Sequence, residues 1–147
     1  MFVERTFTVP RPVEAVYDYL SDFTHTTEWD PGTLECTRVS GDGAAGTTYK
    51  NRSSFLGKEV ELDYETVEAE RPDKLVFRGN SGSTWATDTM TFAPAPDGAG
   101  TEIHYRADFV FSTLTNAIAP FVIKPRVEKL ADKTIVQMEE TLLRLPA

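Results

Sequence analysis

Apolar and polar side chains alternate at every second position over much of the segment from about residue 33 to residue 111. Val60, Leu62 and Tyr64 are interleaved with acidic residues, and the run from Ile103 to Phe111 is interleaved mostly with charged ones. Because successive side chains of a strand point to opposite faces of a sheet, this period indicates strands with one covered face and one wet face. The chain also opens on a strand pattern, Phe2-Val3-Glu4-Arg5-Thr6-Phe7.

Turn-forming residues interrupt the alternation about every ten residues. They are Gly41-Asp42-Gly43, Leu56-Gly57-Lys58, Arg71-Pro72-Asp73, Asn80-Ser81-Gly82 and the stretch from Pro94 to Gly100. Adjacent strands joined by short turns run antiparallel. The spacing therefore predicts a meander of six strands after a first strand at Met1 to Val9.

Helical spacing replaces the alternation between the first two strands. The first helix is predicted to begin at Pro12, which suits the first helical position because its missing N–H needs no partner there. Its apolar stripe, at i, i+3, i+4 and i+7, consists of Val13, Val16, Tyr17 and Leu20. Asp22 is placed to cap a second short helix that ends near Glu28.

The last segment has the pattern of a long amphipathic helix. Its apolar stripe consists of Val127, Leu130, Ala131, Thr134, Met138, Leu142 and Leu145. Pro120 and Pro125 interrupt helical hydrogen bonding, so we expect a break that separates Leu114 to Ile123 from the main helix. The apolar stripe is the surface that covers the dry face of the sheet.

These elements predict an α+β fold, with one domain over residues 1–147. A curved antiparallel sheet of seven strands wraps around the long C-terminal helix, and two short helices lie between the first and second strands. A helix is about 10–12 Å across and does not fill the concavity of a strongly twisted sheet. We therefore expect a cavity between the sheet and the helix.

The charge composition limits the kinds of partner that the protein is expected to bind. Fifteen Lys and Arg against 23 Asp and Glu give a net charge of -8, which repels nucleic acid and anionic membranes. The chain enters its first strand without the basic and apolar segments of a signal peptide, so we expect a cytoplasmic protein. The uncharged run from Phe109 to Ile123 is too short for stable membrane insertion. That run forms either a mobile lid that touches a membrane or partner, or the last strand and the pocket wall.

Conventional catalytic groups are sparse. Cys36 is the only cysteine, which excludes an internal disulfide and a cysteine metal site. His25 and His104 have no second ligand at metal-site spacing, so we expect no metal and no cofactor. Nucleophile-elbow and phosphate-loop motifs are also missing from the sequence.

Several segments resemble one known superfamily. They are Val9 to Phe23, Glu28-Trp29-Asp30-Pro31-Gly32, Gly46-Thr47 with Asn51, Ser53, Phe55, Gly57 and Lys58, Asp88 to Phe92, and Pro120 with Leu130 to Thr134. Together they look like the polyketide cyclase/dehydratase-like branch of the START and Bet v allergen superfamily, often labelled SRPBCC. The resemblance covers nearly the whole chain and implies the helix-grip fold with a deep hydrophobic pocket. Its motifs do not fix a function, because the superfamily includes lipid carriers, hormone receptors, cyclases, coenzyme Q-binding proteins and co-chaperones.

Inward strand positions and the ends of helices supply the residues expected to contact a ligand. They are Trp29, Tyr49, Asn51, Ser53, Leu62, Tyr64, Phe77, Asp88, Met90, Tyr105, Phe109 and Phe121. Trp29 either walls the entrance or anchors the helix pair. Asn51 and Ser53 either orient a ligand carbonyl or hydroxyl, or are satisfied by buried water.

Asp88 is the most informative of these residues. An inward carboxylate is costly unless it is hydrogen-bonded, and desolvation raises its pKa, which is how a pocket acid arises. Asp88, Tyr64 and Tyr105 are therefore the catalytic candidates. The alternative is that Asp88 bonds backbone or hydroxyl groups and holds the sheet together.

Three function classes follow. The first is binding or carrying a small hydrophobic ligand such as a lipid, polyketide or quinone, and the second is a cyclase or dehydratase that uses pocket Asp and Tyr groups. The third is an interaction module of co-chaperone type, for which Trp85 is the clue: its parity is opposite to that of Met90, so it is exposed unless a bulge intervenes. The sequence leaves monomer and homodimer open.

Overall fold

The computed structural model describes residues 1–111 and 121–146. The strands are β1 Phe2–Val9, β2 Thr33–Ser40, β3 Thr48–Phe55, β4 Lys58–Glu70, β5 Lys74–Ser81, β6 Thr84–Pro94 and β7 Thr101–Val110. The helices are α1 Val13–Ser21, a 3-10 turn Phe23–His25, α2 Thr26–Trp29 and α3 Lys124–Leu142. The strands form one antiparallel seven-stranded sheet in the order β1-β7-β6-β5-β4-β3-β2. The helix-grip fold predicted from the sequence is confirmed.

The connection between β1 and β2 follows its sequence signals closely. Pro12 has extended backbone dihedrals and immediately precedes α1, one position earlier than predicted. Oδ1 of Asp22 accepts hydrogen bonds from the backbone N–H and the hydroxyl of Thr24, at 3.0 and 2.7 Å, and so caps the 3-10 turn. The second predicted helix is thus divided into this turn and α2.

The sheet bends where its pairing is irregular. The register between β4 and β5 shifts between Thr66 and Glu68, and the register between β2 and β3 shifts twice. Such irregularities bend a strand and increase its twist.

Trp85 lies on the outer face, 44% exposed, in a regular stretch of β6 with the Arg78 guanidinium 5.6 Å from its ring centroid. Of the two possibilities open for Trp85, exposure is the one observed.

Helix α3 lies across the concave face. Its buried side chains are Val127, Ala131, Thr134, Met138, Thr141 and Leu142. Arg5 of β1 fastens one end through Glu128 at 2.6 Å and Asp132 at 2.9 Å. Pro125 lies in the first turn, so the main helix begins where the prolines predict; the part of the predicted break at residues 114–120 lies outside the described residues.

Aromatic side chains fill one end of the concavity. The Phe23 ring lies 4.4 Å from the Phe77 ring and 4.5 Å from the Tyr64 ring, centroid to centroid. Trp29 and Tyr49 are each only 1% exposed and pack against the same Phe23. This end, beneath the two short helices, is therefore solid, and any space for a ligand lies at the other end.

Candidate functional site

A cavity of about 380 Å³ lies between α3 and the open end of the sheet. This volume falls within the range of about 300–1,000 Å³ that is typical of small-molecule sites. Its wall is mainly apolar and includes Leu62, Ala86, Ala107, Phe111, Val127 and Leu130. The space expected between sheet and helix is present.

Small side chains and an uneven sheet edge create this space. Ala86, Ala107 and Ala131 face the cavity from β6, β7 and α3, where larger residues would fill it. The β3–β4 hairpin also extends beyond its neighbour, since β4 pairs with β3 from Lys58 onward but with β5 only from Asp63. The overhanging hairpin forms one side of the cavity.

Three stacked phenylalanine rings connect that hairpin to the end of β7. The Phe55 ring lies 5.7 Å from the Phe109 ring, and the Phe109 ring lies 6.0 Å from the Phe111 ring, with interplanar angles of 16° and 5°. The next hairpin residue, Leu56, has a φ of 53°, which is costly for a branched side chain, and it also lines the cavity. The stack and the strained turn hold the hairpin tip over the cavity.

A buried carboxyl and a phenol form the main polar pair of the cavity. Tyr105 donates a hydrogen bond of 2.7 Å to Oδ1 of Asp88. Burial raises the pKa of Asp88 to about 7, the hydrogen bond from Tyr105 opposes the rise, and the charges of Asp30 and Asp108 add to it. Burial and the Asp88 charge raise the pKa of Tyr105 well above its ordinary value. Asp88 is therefore a group that exchanges its proton near neutral pH.

Asp30 supplies a second carboxyl to the same cavity. Its Oδ1 accepts from the Gly32 N–H at 3.0 Å and its Oδ2 from the Thr33 hydroxyl at 2.9 Å. Burial raises the pKa of Asp30, against the effect of these two hydrogen bonds. The sequence reasoning missed this residue because it treated the segment after Trp29 only as a helix stop; the acid within the Glu28 to Gly32 motif was the available signal.

Tyr64 borders the cavity beside these acids. It is about nine-tenths buried, and its hydroxyl makes no hydrogen bond to the described residues. Burial, followed by the charges of Asp88 and Asp30, raises the pKa of Tyr64 well above its ordinary value. The hydroxyl is therefore available to a bound molecule.

The structure brings half of the predicted ligand contacts to the cavity wall. Ser53, Leu62, Tyr64, Asp88, Tyr105 and Phe109 line it, whereas Trp29, Tyr49, Asn51, Phe77, Met90 and Phe121 do not. Trp29, Tyr49, Phe77 and Met90 lie fully buried in the protein core. Asn51 accepts a 2.5 Å hydrogen bond from the Ser53 hydroxyl, and Phe121 is 82% exposed. Phe55 and Phe111 also line the wall.

The histidines have local roles. The His25 ring stacks on Tyr19, with Nδ1 2.7 Å from the Tyr19 carbonyl oxygen, and His104 Nε2 lies 2.9 Å from a carboxylate oxygen of Glu4. Within residues 1–111 and 121–146, no group of His, Cys, Asp and Glu is arranged to hold a metal ion. No described helix combines the length and the apolar character needed to cross a membrane.

Comparison with known proteins identifies relatives of this architecture. Residues 2–142 match the sequence profile of the family described as "Polyketide cyclase / dehydrase and lipid transport". No curated protein sequence matches significantly.

Solved structures of low sequence identity share the fold. The protein TTHA0849 from Thermus thermophilus is 18% identical, with a TM-score of 0.79 and 97% of each chain covered. Ara h 8.0201 is 18% identical, with a TM-score of 0.71 and 99% of each chain covered. The ZhuI aromatase/cyclase from Streptomyces sp. R1128 is 14% identical, with a TM-score of 0.69, and covers 97% of this chain and 91% of its own.

Proposed function

Since the chain belongs to the polyketide cyclase / dehydrase and lipid transport family, we propose that it binds and carries a small hydrophobic molecule in the cavity beneath α3. The observation that carries this proposal is the cavity itself: about 380 Å³, walled mainly by apolar side chains, with a few polar groups at one place. Small-molecule sites have this composition, in which apolar walls provide affinity and a few polar groups fix orientation.

The distribution of packing supports the proposal. Aromatic side chains fill the end beneath the short helices, while Ala86, Ala107 and Ala131 keep the other end open. Protein interiors are otherwise close-packed, and an empty apolar space forfeits dispersion contacts. A ligand that occupies the space restores those contacts.

The direct test is native mass spectrometry of freshly purified protein, followed by thermal unfolding with lipids, quinones and aromatic polyketides. Binding to the folded state alone raises the melting temperature. Ala107→Phe and Ala131→Leu each fill part of the cavity and should reduce the rise, whereas Thr89→Phe, on the outer face of β6, should leave it unchanged. If no compound raises the melting temperature and no ligand co-purifies with the protein, the proposal is contradicted.

A second function is favoured by the pair of Asp88 and Tyr105. A carboxyl whose pKa lies at about 7 is matched to proton transfer at neutral pH. In a cyclase or dehydratase, Asp88 would accept a proton from a carbon next to a ketone, and Tyr105 would hold the carboxylate in place. Asp88→Asn and Tyr105→Phe should then abolish turnover of an aromatic polyketide precursor while its binding persists. Unchanged turnover in both variants would leave carriage as the function.

A further inference from the structure

The charged groups that line the cavity are mainly negative. Asp30 and Asp88 both border the cavity. The charges of both carboxyls raise the pKa values of Tyr64 and Tyr105, and the Asp30 charge also raises the pKa of Asp88, so both add negative potential to the same space. Among the described wall residues, Lys58 is the single cation, and it is exposed at the hairpin tip. The acidic side of the cavity therefore has no cationic partner within the described wall.

Hydrogen-bonding capacity also remains unused on this side. Oδ1 of Asp88 accepts from Tyr105, while Oδ2 accepts no hydrogen bond from the described residues. The Tyr64 hydroxyl, about nine-tenths buried and bordering the cavity, has no hydrogen-bond partner among them either. Both side chains border the cavity, and a ligand that displaces water from it must donate to their oxygens or leave them without a partner, which is costly. A ligand head group that donates several hydrogen bonds would satisfy both.

We infer that the occupant of this cavity is an apolar molecule whose head group is a protonated amine, held by Asp88 and Asp30 with the Tyr64 oxygen as a further acceptor. This inference rests on the proposed ligand-binding function. An ammonium group has N–H donors and no acceptor, which complements carboxylate oxygens. Its positive charge also favours the ionised form of the two buried carboxyls in a medium of low dielectric constant, where a carboxylate head group would add a further negative charge.

The test uses three linear molecules of equal chain length: dodecylamine, dodecanol and dodecanoate. Their affinities for the full chain are measured by isothermal titration calorimetry at neutral pH, below the concentrations at which they form micelles. Dodecanol reports on the apolar cavity together with an uncharged hydroxyl head group. We expect dodecylamine to bind at least about tenfold more tightly than dodecanol, and dodecanoate to bind most weakly.

Variants locate the source of the preference. Asp88→Asn and Asp30→Asn should each lower the ratio of the dodecylamine affinity to the dodecanol affinity. The control, Asp97→Asn, removes a charge of the same kind from the exposed loop between β6 and β7, where Asp97 accepts from the Ala99 N–H. It should retain the preference. Tyr64→Phe provides a further variant if Asp30→Asn does not fold.

The outcomes separate this inference from the proposed function. If dodecanol binds but dodecylamine binds no more tightly, the amine assignment is overturned and ligand binding stands. The amine assignment is also overturned if dodecanoate binds as tightly as dodecylamine. It is overturned as well if the preference for dodecylamine survives in both Asp88→Asn and Asp30→Asn, because the attraction then comes from the net charge of -8. If none of the three molecules binds, both conclusions are overturned.

Discussion

The ring of Tyr64 lies flat over the Cα of Gly79, its partner across the β4–β5 pair. A Cβ at residue 79 would lie 2.6 Å from both Cε2 and Cζ of that ring, closer than any ordinary contact. The absent side chain thus provides the space that lets the Tyr64 ring lie across the sheet. Tyr64 lines the cavity from this position.

Gly79→Ala should therefore displace the Tyr64 ring. Overpacking of this kind costs about 1–3 kcal/mol of the free energy of unfolding, measured by urea denaturation. The cost should shrink in a Tyr64→Ala background, because the clashing ring is gone. Equal costs in the two backgrounds would show that the ring and the glycine do not depend on each other.

Asp88 should make stability depend on pH in a defined direction. Its pKa in the folded protein is about 7, above the ordinary value of 3.8, so the folded state keeps its proton where the unfolded chain has lost it. This contribution is fully present below about pH 4 and is lost as the pH rises to about 7. Its size is on the order of 4 kcal/mol.

The comparison with Asp88→Asn isolates this effect, because the amide is neutral at every pH and still accepts from Tyr105. Urea denaturation of both proteins should show the wild type losing stability relative to the variant between about pH 4 and pH 7. The buried carboxyl of Asp30 is present in both proteins, so the difference between them comes from Asp88 and from its coupling to Asp30. Parallel curves for the two proteins would contradict a raised pKa at Asp88.

Phe55→Ala should loosen the hairpin tip that lies over the cavity. The substitution removes one ring from the stack with Phe109 and Phe111, and an aromatic pair contributes about 0.5–1.5 kcal/mol beyond its buried area. Stopped-flow fluorescence of an environment-sensitive apolar dye should show faster release by roughly threefold to tenfold. Leu34→Ala, an exposed position on β2, is the control and should not change the rate. An unchanged rate in Phe55→Ala would mean that ligands pass elsewhere.

Arg5→Met should weaken the attachment of α3 to β1. It removes contacts to Glu128 and Asp132 but keeps much of the apolar stem. Because these carboxylates are partly exposed, the expected loss is about 1 kcal/mol. The difference from wild type, measured by urea denaturation, should decrease in molar salt, where such pairs are screened. A salt-independent difference would point to packing as its cause.

The face of each strand was predictable from the sequence because period-two alternation is a local property. Leu62, Tyr64, Asp88 and Tyr105 all have the predicted inward orientation. Trp85 has the outward orientation that its parity requires. The same reasoning yields the sheet and the covering helix, since each strand needs only its own residues to define a dry face.

The sequence pattern did not predict whether an inward-facing residue lies at the solid end or at the open end of the sheet. Phe77 and Met90 have the same inward parity as Asp88, yet they lie in the solid core. Whether an inward residue meets core or cavity depends on where the short helices pack, and that contact joins segments distant in sequence. Asp30 was missed for a related reason, since a loop has no period that assigns a face to its side chains.

The pairing of β1 with β7 joins Phe2 to Asp108 and Val9 to Thr101. During synthesis, the first of these strands leaves the ribosome on the order of 10 s before the other, at a rate of about 5–20 residues per second. The hairpins between these two strands need only local contacts, so they can begin to form before β7 has been synthesised. Val3 and Val9, both buried in the finished protein, thus remain uncovered for that interval. The nascent chain is most open to chaperones, and to misassembly, at its first strand.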